Sequence, residues 1–428
     1  MFDRLNINIA GGLDIPLPPM AGVQQQFANH GLVDVSDAVA AAVNNIEASA
    51  GIKPGDRIAV GVGSRGISNL AQAVRALVDT LKAWGAHPFI FPAMGSHGGA
   101  TAAGQAKVLA SYGVTEARMG VPIRATMDTV LVTHMADGTP LYMDQFAHEA
   151  DGVVLINRIK PHTTVRGNFQ SGIVKMMIIG MGKIQGATIM HGDHGMDTFD
   201  RVLPKAAEAL MPHIPFRFGV ALLEDAYDHT SHAEALLPDK LLEREKDLLN
   251  AATAMMARLH FDQIDVLVID QIGKEISGSG FDPNIAGRNS RGVHGFDKPE
   301  IAKLVLLGLT EQTYGNATGI GLADVITQQL FNNIDFASTY ANVITSAYLD
   351  GAAVPIVMPN SKDAVSLAVK TVLRVKPADA RIVRIRDTLS LDKIFVSEPM
   401  LPEVTTHASL TLKKEPAPMQ WTPAEFSF

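Results

Sequence analysis

"RIAVGVGSRGISNLAQAVRALVDTLKAWGAHPFIFPAMG" (57–95) sets two apolar runs on either side of a segment whose apolar residues recur at helical spacing. The spacing predicts a buried strand over 57–63, a helix over 69–85 with Gly85 as its C-cap, and a second strand over 87–95. Strands that alternate with helices mark an α/β fold built on a largely parallel sheet.

The alternation continues along the chain. "GVVLINR" (152–158), "FGVALLED" (218–225), "DVLVID" (265–270), "AKLVLLGLT" (302–310) and "AAVPIVM" (352–358) read as further strands, and "SKDAVSLAVKTVLRV" (361–375) as a helix capped by Ser361. Between 232 and 261, "HAEALLPDKLLEREKDLLNAATAMMARLHF" carries a charged, amphipathic helical pattern after Pro238 and no strand signal, which places a domain junction there. The expected organisation is two α/β domains with largely parallel sheets and the active site in the cleft between them. Residues 1–240 form the catalytic and cofactor-binding domain, and 241–428 contribute substrate contacts.

Composition narrows the function. The 428 residues, 47% of them hydrophobic, suffice for more than one core. Cysteine is absent, so disulfides, thiolate nucleophiles and Cys-ligated zinc or iron–sulfur clusters are excluded together. Any metal must use histidine, carboxylate or ligands brought by a cofactor. A net charge of −8, with no Lys/Arg run interleaved with aromatics, argues against nucleic acid. No stretch approaches the roughly 18 apolar residues of a membrane span, and the N-terminus lacks a basic start followed by an apolar segment. The expected location is the cytoplasm, with no membrane partner.

Candidate functional residues follow the strands. "GVGSRG" (61–66) satisfies G-x-G-x-x-G, but the next strand ends in "FIFPAMGSHGG" without an acid to hold a ribose, which speaks against a dinucleotide site. Arg65 is left at the carboxyl end of a strand, either where open α/β sheets bind ligands or as a surface arginine on a turn. "MGSHGGAT" (94–101) surrounds His97 with glycines, and "RIKPHTT" (158–164) places His162 after another strand, in a loop stiffened by Pro161. Either histidine alone is an ordinary loop residue; as a pair at converging strand ends they can face one ligand.

Three further segments carry chemistry. In "SGIVKMMIIGMGK" (171–183), Lys175 lies among apolar neighbours, where desolvation favours a neutral amine unless the side chain snorkels to water. "IMHGDHG" (189–195) offers His191, Asp193 and His194 either as a compact metal set or with one histidine serving a cofactor-bound metal. "VIDQIGKEISGSGFDPNIAGR" (268–288) puts Gln271 and Lys274 at the mouth of a glycine-shaped loop, a wall over a site or a solvated turn.

In their order these segments resemble the nickel-dependent lactate racemase family of nickel-pincer nucleotide enzymes, over residues 10 to 290 and more weakly to the end. The resemblance implies that His97 and His162 are the two acid/base histidines. It implies that Lys175, with Ser171 and Gly172 in a Ser-Gly-x-x-Lys spacing, is joined covalently to the nickel-pincer nucleotide, and that His191 completes the nickel coordination. Arg65 corresponds to an anion-binding arginine, and Gln271 and Lys274 to a substrate-contacting pair. Three departures stand out: Val62 where the pattern has an acid, Asp270 where it has a tyrosine, and a longer segment between His162 and Lys175.

The implied activity is racemisation or epimerisation of a small anionic 2-hydroxy acid by reversible hydride transfer to the cofactor, with cofactor-building enzymes as transient partners. Two other classes stay open. One is a divalent-metal lyase or hydratase acting on hydroxy or sugar acids through His191, Asp193 and His194; the other is a non-catalytic protein that binds the cofactor or an anion. The paired histidines favour catalysis, since Arg and Lys alone suffice to bind a carboxylate.

Overall fold

The computed structural model describes residues 9–63, 67–289, 294–296, 298–346 and 348–421. The chain divides into two α/β units, Ala28–Met256 on the one hand and Met1–Phe27 with Ala257–Phe428 on the other.

In the unit Ala28–Met256 a five-stranded sheet runs in the order His87–Pro92, Arg57–Val62, Gly152–Arg158, Phe216–Glu224, Thr230–Leu236. The first four strands are parallel and the last returns antiparallel. Alternation along Arg57–Val62 sorts its side chains between two cores. Ile58, Val60 and Val62 pack with helices Val35–Asn44 and Leu70–Ala83, while Ala59 faces a core shared with Ile173–Met177 and helix Phe199–Leu210. Both faces are covered, which is why the parallel strands read as continuous apolar runs. Gly61 belongs to this packing: a Cβ there would stand 2.5 Å from Leu155 Cδ2 and 2.9 Å from Phe91 Cζ. The first glycine of G-x-G-x-x-G therefore answers strand packing rather than a phosphate.

The other unit holds an eight-stranded sheet in the order Ile356–Met358, Val325–Thr327, Glu300–Leu306, Gln263–Ile269, Ile382–Ile385, Lys393–Ser397, Met20–Gln25, Leu410–Ala417. Its first five strands are parallel and the rest pair antiparallel. Val266, Val268, Val305 and Val325 pack on the apolar face of helix Ser361–Lys370.

The division differs from the expected 1–240 and 241–428. Met20–Gln25 pairs with strands nearly the whole chain away, a contact that no local pattern reveals. The segment 232–261, read as helical after Pro238 and without a strand, holds the expected helix as Leu241–Met255, but its start belongs to the edge strand Thr230–Leu236; both lie within the unit Ala28–Met256. Burial explains the helix: Leu241, Leu248, Leu249 and Ala252 enter the same core as Ile173 and Val174. Helix Ser361–Lys370 is shorter than expected and is capped by Asn360, whose side chain accepts from the Asp363 N–H at 2.9 Å, not by Ser361. Among the described residues no single helix is long and apolar enough to cross a membrane.

Candidate active site at a sheet edge

Strand order alone creates a place for a ligand. From Arg57–Val62 the chain moves outward to His87–Pro92, then crosses to Gly152–Arg158 on the other flank of Arg57–Val62. Such a reversal opens a crevice at the carboxyl ends of the two inner strands, where open α/β sheets take ligands. The His97 loop follows Pro92 and the His162 loop follows Arg158 at this edge. Arg65 follows Val62 in the sequence but lies outside the described residues.

Beyond Pro92 the backbone settles onto the segment that carries Lys175. The Gly95 N–H donates to the Gly180 carbonyl at 3.1 Å, and a Cβ on Gly180 would meet the Ala93 carbonyl oxygen at 2.6 Å. Glycine lets the two backbones touch. His97 is exposed and precedes the short turn Gly98–Ala100. Behind it Gln105, buried on helix Ala102–Ser111, donates to the carbonyls of Gly95 at 2.8 Å and His97 at 3.3 Å. Gln105 Oε1 accepts from buried Lys183 at 3.0 Å, and Lys183 also donates to the Pro92 carbonyl. Asp144 Oδ2 lies 3.0 Å from Lys183 Nζ as a counter-charge rather than a well-formed hydrogen-bond partner. Burial pushes the Asp144 carboxyl up and the Lys183 ammonium down, and their mutual attraction pulls each back.

His162 occupies a loop pinched at its base, where Lys160 and Ser171 exchange backbone hydrogen bonds of 3.0 and 3.3 Å. The additional residues between His162 and Lys175 form this closed excursion. Gln170 braces it, accepting from the His162 N–H at 2.7 Å and donating to the Gly167 carbonyl at 3.0 Å. The ring nitrogen Nδ1 accepts from the backbone N–H groups of Thr164 at 3.0 Å and Val165 at 3.1 Å. A nitrogen that accepts two such bonds carries no proton, so the neutral ring holds its proton on Nε2.

Past Ser171, Asn157 Nδ2 donates to the Gly172 carbonyl at 2.9 Å and the chain turns into a helix at Ile173. The start of that helix is satisfied from a distance, since Glu245 Oε2 accepts from the Val174 N–H at 3.0 Å. A Cβ on Gly172 would fall 2.3 Å from Glu245 Oε1, so glycine makes room for the carboxylate. Burial pushes Glu245 up to about 7, against the pull of its backbone hydrogen bonds. Lys175 is half-buried between buried Val174 and Met176, and the helix widens into a π turn over Met176–Gly180.

After a bend of 103° the chain continues through helix Lys183–Ile189 into a second π turn, Met190–His194. Irregular turns of this kind recur at functional sites. His191 lies in the second one, its Nδ1 donating to the Ala187 carbonyl at 2.6 Å and its ring edge-on to Phe199 at 5.1 Å. With the proton on Nδ1, the Nε2 lone pair is directed away from the backbone and suits a ligand. Much of the residue meets solvent, yet the protein packed around the ring favours its neutral form. Desolvation is the larger cause and the Lys175 ammonium adds to it, holding His191 below the ordinary imidazole value.

His194 turns elsewhere, with Nε2 3.0 Å from Thr139 Oγ1. Among the described residues no three or more His, Cys, Asp or Glu side chains gather to hold a metal. His191, Asp193 and His194 therefore do not form the ligand set that a simple divalent-metal lyase needs. What the segment offers is one oriented imidazole, His191, whose ring feels the charge of Lys175.

Gln271 and Lys274 belong to the other unit, after strand Gln263–Ile269. Gln271 is exposed, and Lys274 Nζ donates to the Gly278 carbonyl at 2.7 Å. Asp270 forms a two-pronged pair with buried Arg384, at 2.6 and 3.0 Å, and serves that unit's interior. Gln105, Asp144, Lys183 and Glu245 are not among the residues that the motifs single out. The signal available for Glu245 is a charge on the same helix face as Leu241, Leu248 and Leu249.

Residues 19–201 match the lactate racemase N-terminal domain family. No match was found among curated protein sequences. Among solved structures, the chain is similar to the lactate racemase apoprotein from Thermoanaerobacterium thermosaccharolyticum, with a TM-score of 0.53 and 14% identity over 84% of this chain and 93% of that one. It is also similar to a Thermotoga maritima protein, with a TM-score of 0.44 and 14% identity over 64% of this chain and 69% of that one. The first likeness speaks for the fold across both units. The family match spans the sheet edge, both histidine loops, Lys175 and His191, and so ties residues 19–201 of this chain to the lactate racemase N-terminal domain.

Proposed function

We propose that the chain is a racemase or epimerase of a small anionic 2-hydroxy acid and works with a nickel-pincer nucleotide attached to Lys175. The observation that carries this reading is that one bent helical segment bears both a half-buried amine, Lys175, and an imidazole, His191, whose Nδ1 is tied to a backbone carbonyl so that Nε2 is left to ligate. Lys175, preceded by Ser171 and Gly172, would hold the cofactor, and His191 would ligate its nickel. When bound, the cofactor supplies a reversible hydride acceptor and avoids removal of a proton from carbon beside an ionised carboxylate.

The chain's own residues handle protons and charge. His97, exposed at the sheet edge, exchanges the substrate hydroxyl proton, help worth about 10² to 10⁴-fold. His162 presents Nε2–H, and so begins as a hydrogen-bond donor. To act as a base at Nε2 it must move that proton to Nδ1 and give up two backbone bonds, at a cost on the order of 1 kcal/mol each. Arg65, Gln271 and Lys274 keep the substrate contacts that the pattern assigns them, the cations to the carboxylate. This reading implies a cytoplasmic protein that meets cofactor-building enzymes transiently.

The test is the intact mass of protein made alongside a nickel-pincer cofactor pathway. A nucleotide-sized increment that maps to Lys175, with inversion of a 2-hydroxy acid, supports the reading. An unmodified mass without nickel, from a pathway proven to work, overturns it.

A further inference from the structure

The His97 loop and the segment bearing Lys175 and His191 are joined by a buried polar link that none of the motif residues supplies. Its centre is Lys183, which is fully buried and opens the helix leading to His191. The backbone of Lys183 has φ 53°, in the left-handed region where glycine rests with less strain. A lysine in that conformation points to a task for its side chain.

The Lys183 ammonium gathers two hydrogen-bond acceptors and one counter-charge from three elements. These are the Pro92 carbonyl at the end of edge strand His87–Pro92, Gln105 Oε1 on helix Ala102–Ser111, and Asp144 Oδ2 at the end of strand Pro140–Asp144. Asp144 is itself steadied by the Ala147 N–H at 3.0 Å. Gln105 then passes the connection to the carbonyls of Gly95 and His97. Stability alone does not call for this arrangement, because apolar side chains of similar volume fill such a space at least as well as a buried ion pair. Geometry is what the polar link adds.

We propose that Lys183, acting through Gln105, is a positioning residue that holds the His97 loop in register with Lys175 and His191. The role of His97 rests on the racemase reading, whereas the mechanical link does not.

Lys183→Met strands Asp144 in the interior and risks unfolding the unit, so the principal variant is Gln105→Leu, which cuts the link and leaves the ion pair. Amide exchange of the full chain, followed by mass spectrometry, is expected to accelerate about tenfold over 95–101 while 199–210 keeps its wild-type rate. In cofactor-loaded protein, turnover should fall by about 10²-fold with KM and the Lys175 adduct unchanged. Removing both charges together, by Lys183→Met with Asp144→Leu, should reproduce the local pattern. Unchanged exchange over 95–101 overturns the proposal, and so does acceleration spread evenly over the unit, which is the mark of a general stabilising role. If loaded wild-type protein inverts no 2-hydroxy acid, the racemase reading fails, and the exchange comparison still decides for or against the link.

Discussion

His162 and His191 lie in the same unit, yet the backbone treats their rings in opposite ways. In the pinched loop after Arg158, the Nδ1 of His162 accepts from two N–H groups; in the second π turn, the Nδ1 of His191 donates to a carbonyl. The first ring offers a proton on Nε2 and the second offers a lone pair. A histidine's chemistry is set here by what its inward nitrogen meets. Loop geometry turns backbone donors toward one ring, and helical geometry turns a carbonyl toward the other.

The largest expected effect falls on the lone-pair side. His191→Ala should bring turnover to background and strip nickel from the protein, while the Lys175 adduct remains visible by mass. Nickel retained at the wild-type level would remove His191 from the coordination and with it half of the contrast. His97→Ala comes next, with a loss of about 10² to 10⁴-fold and both adduct and nickel kept. Loss of metal in this variant would cancel the assignment of His97 to proton exchange.

The donor side predicts a milder outcome. His162→Gln leaves an N–H near the place of Nε2, so its loss should be about tenfold smaller than that of His97→Ala. Nitrogen-15 NMR of the imidazoles gives the direct reading, with Nδ1 unprotonated at His162 and protonated at His191. The same tautomer at both would break the comparison outright.

The smallest effect concerns stability and the cap on the Lys175 helix. Glu245 has an ordinary value of 4.5 and is raised to about 7 in the folded chain, so between these values the folded state binds more protons than the unfolded one. Stability contributed by this group is therefore lost as pH rises through that window, by on the order of 3 kcal/mol in all. Glu245→Gln should flatten the slope, which urea unfolding at about pH 5 and about pH 8 would show. An undiminished slope would assign the pH dependence to another group.

Much of the fold was legible because apolar periodicity is a local property. Arg57–Val62, His87–Pro92, Gly152–Arg158 and Gln263–Ile269 lie where their apolar runs predict. Met20–Gln25 escaped notice because "MAGVQQ" has no strong pattern of its own and owes its place to partners near the other end of the chain. The helix Leu241–Met255 was recognisable, but its allegiance was not, since that depends on which core receives its buried face.

By itself the sequence determined an α/β fold, the excluded cysteine chemistries and the residue types at the ends of strands, because these follow from composition and short-range spacing. It also marked Gly172 and Lys175 as a motif. Only the tertiary structure decided that Gly172 makes room for Glu245, that His162 and His191 hold opposite tautomers, and that Lys183 reaches the His97 loop through Gln105. Each of these depends on a donor meeting an acceptor, or an atom needing space, and such meetings exist only once the chain has brought its segments together.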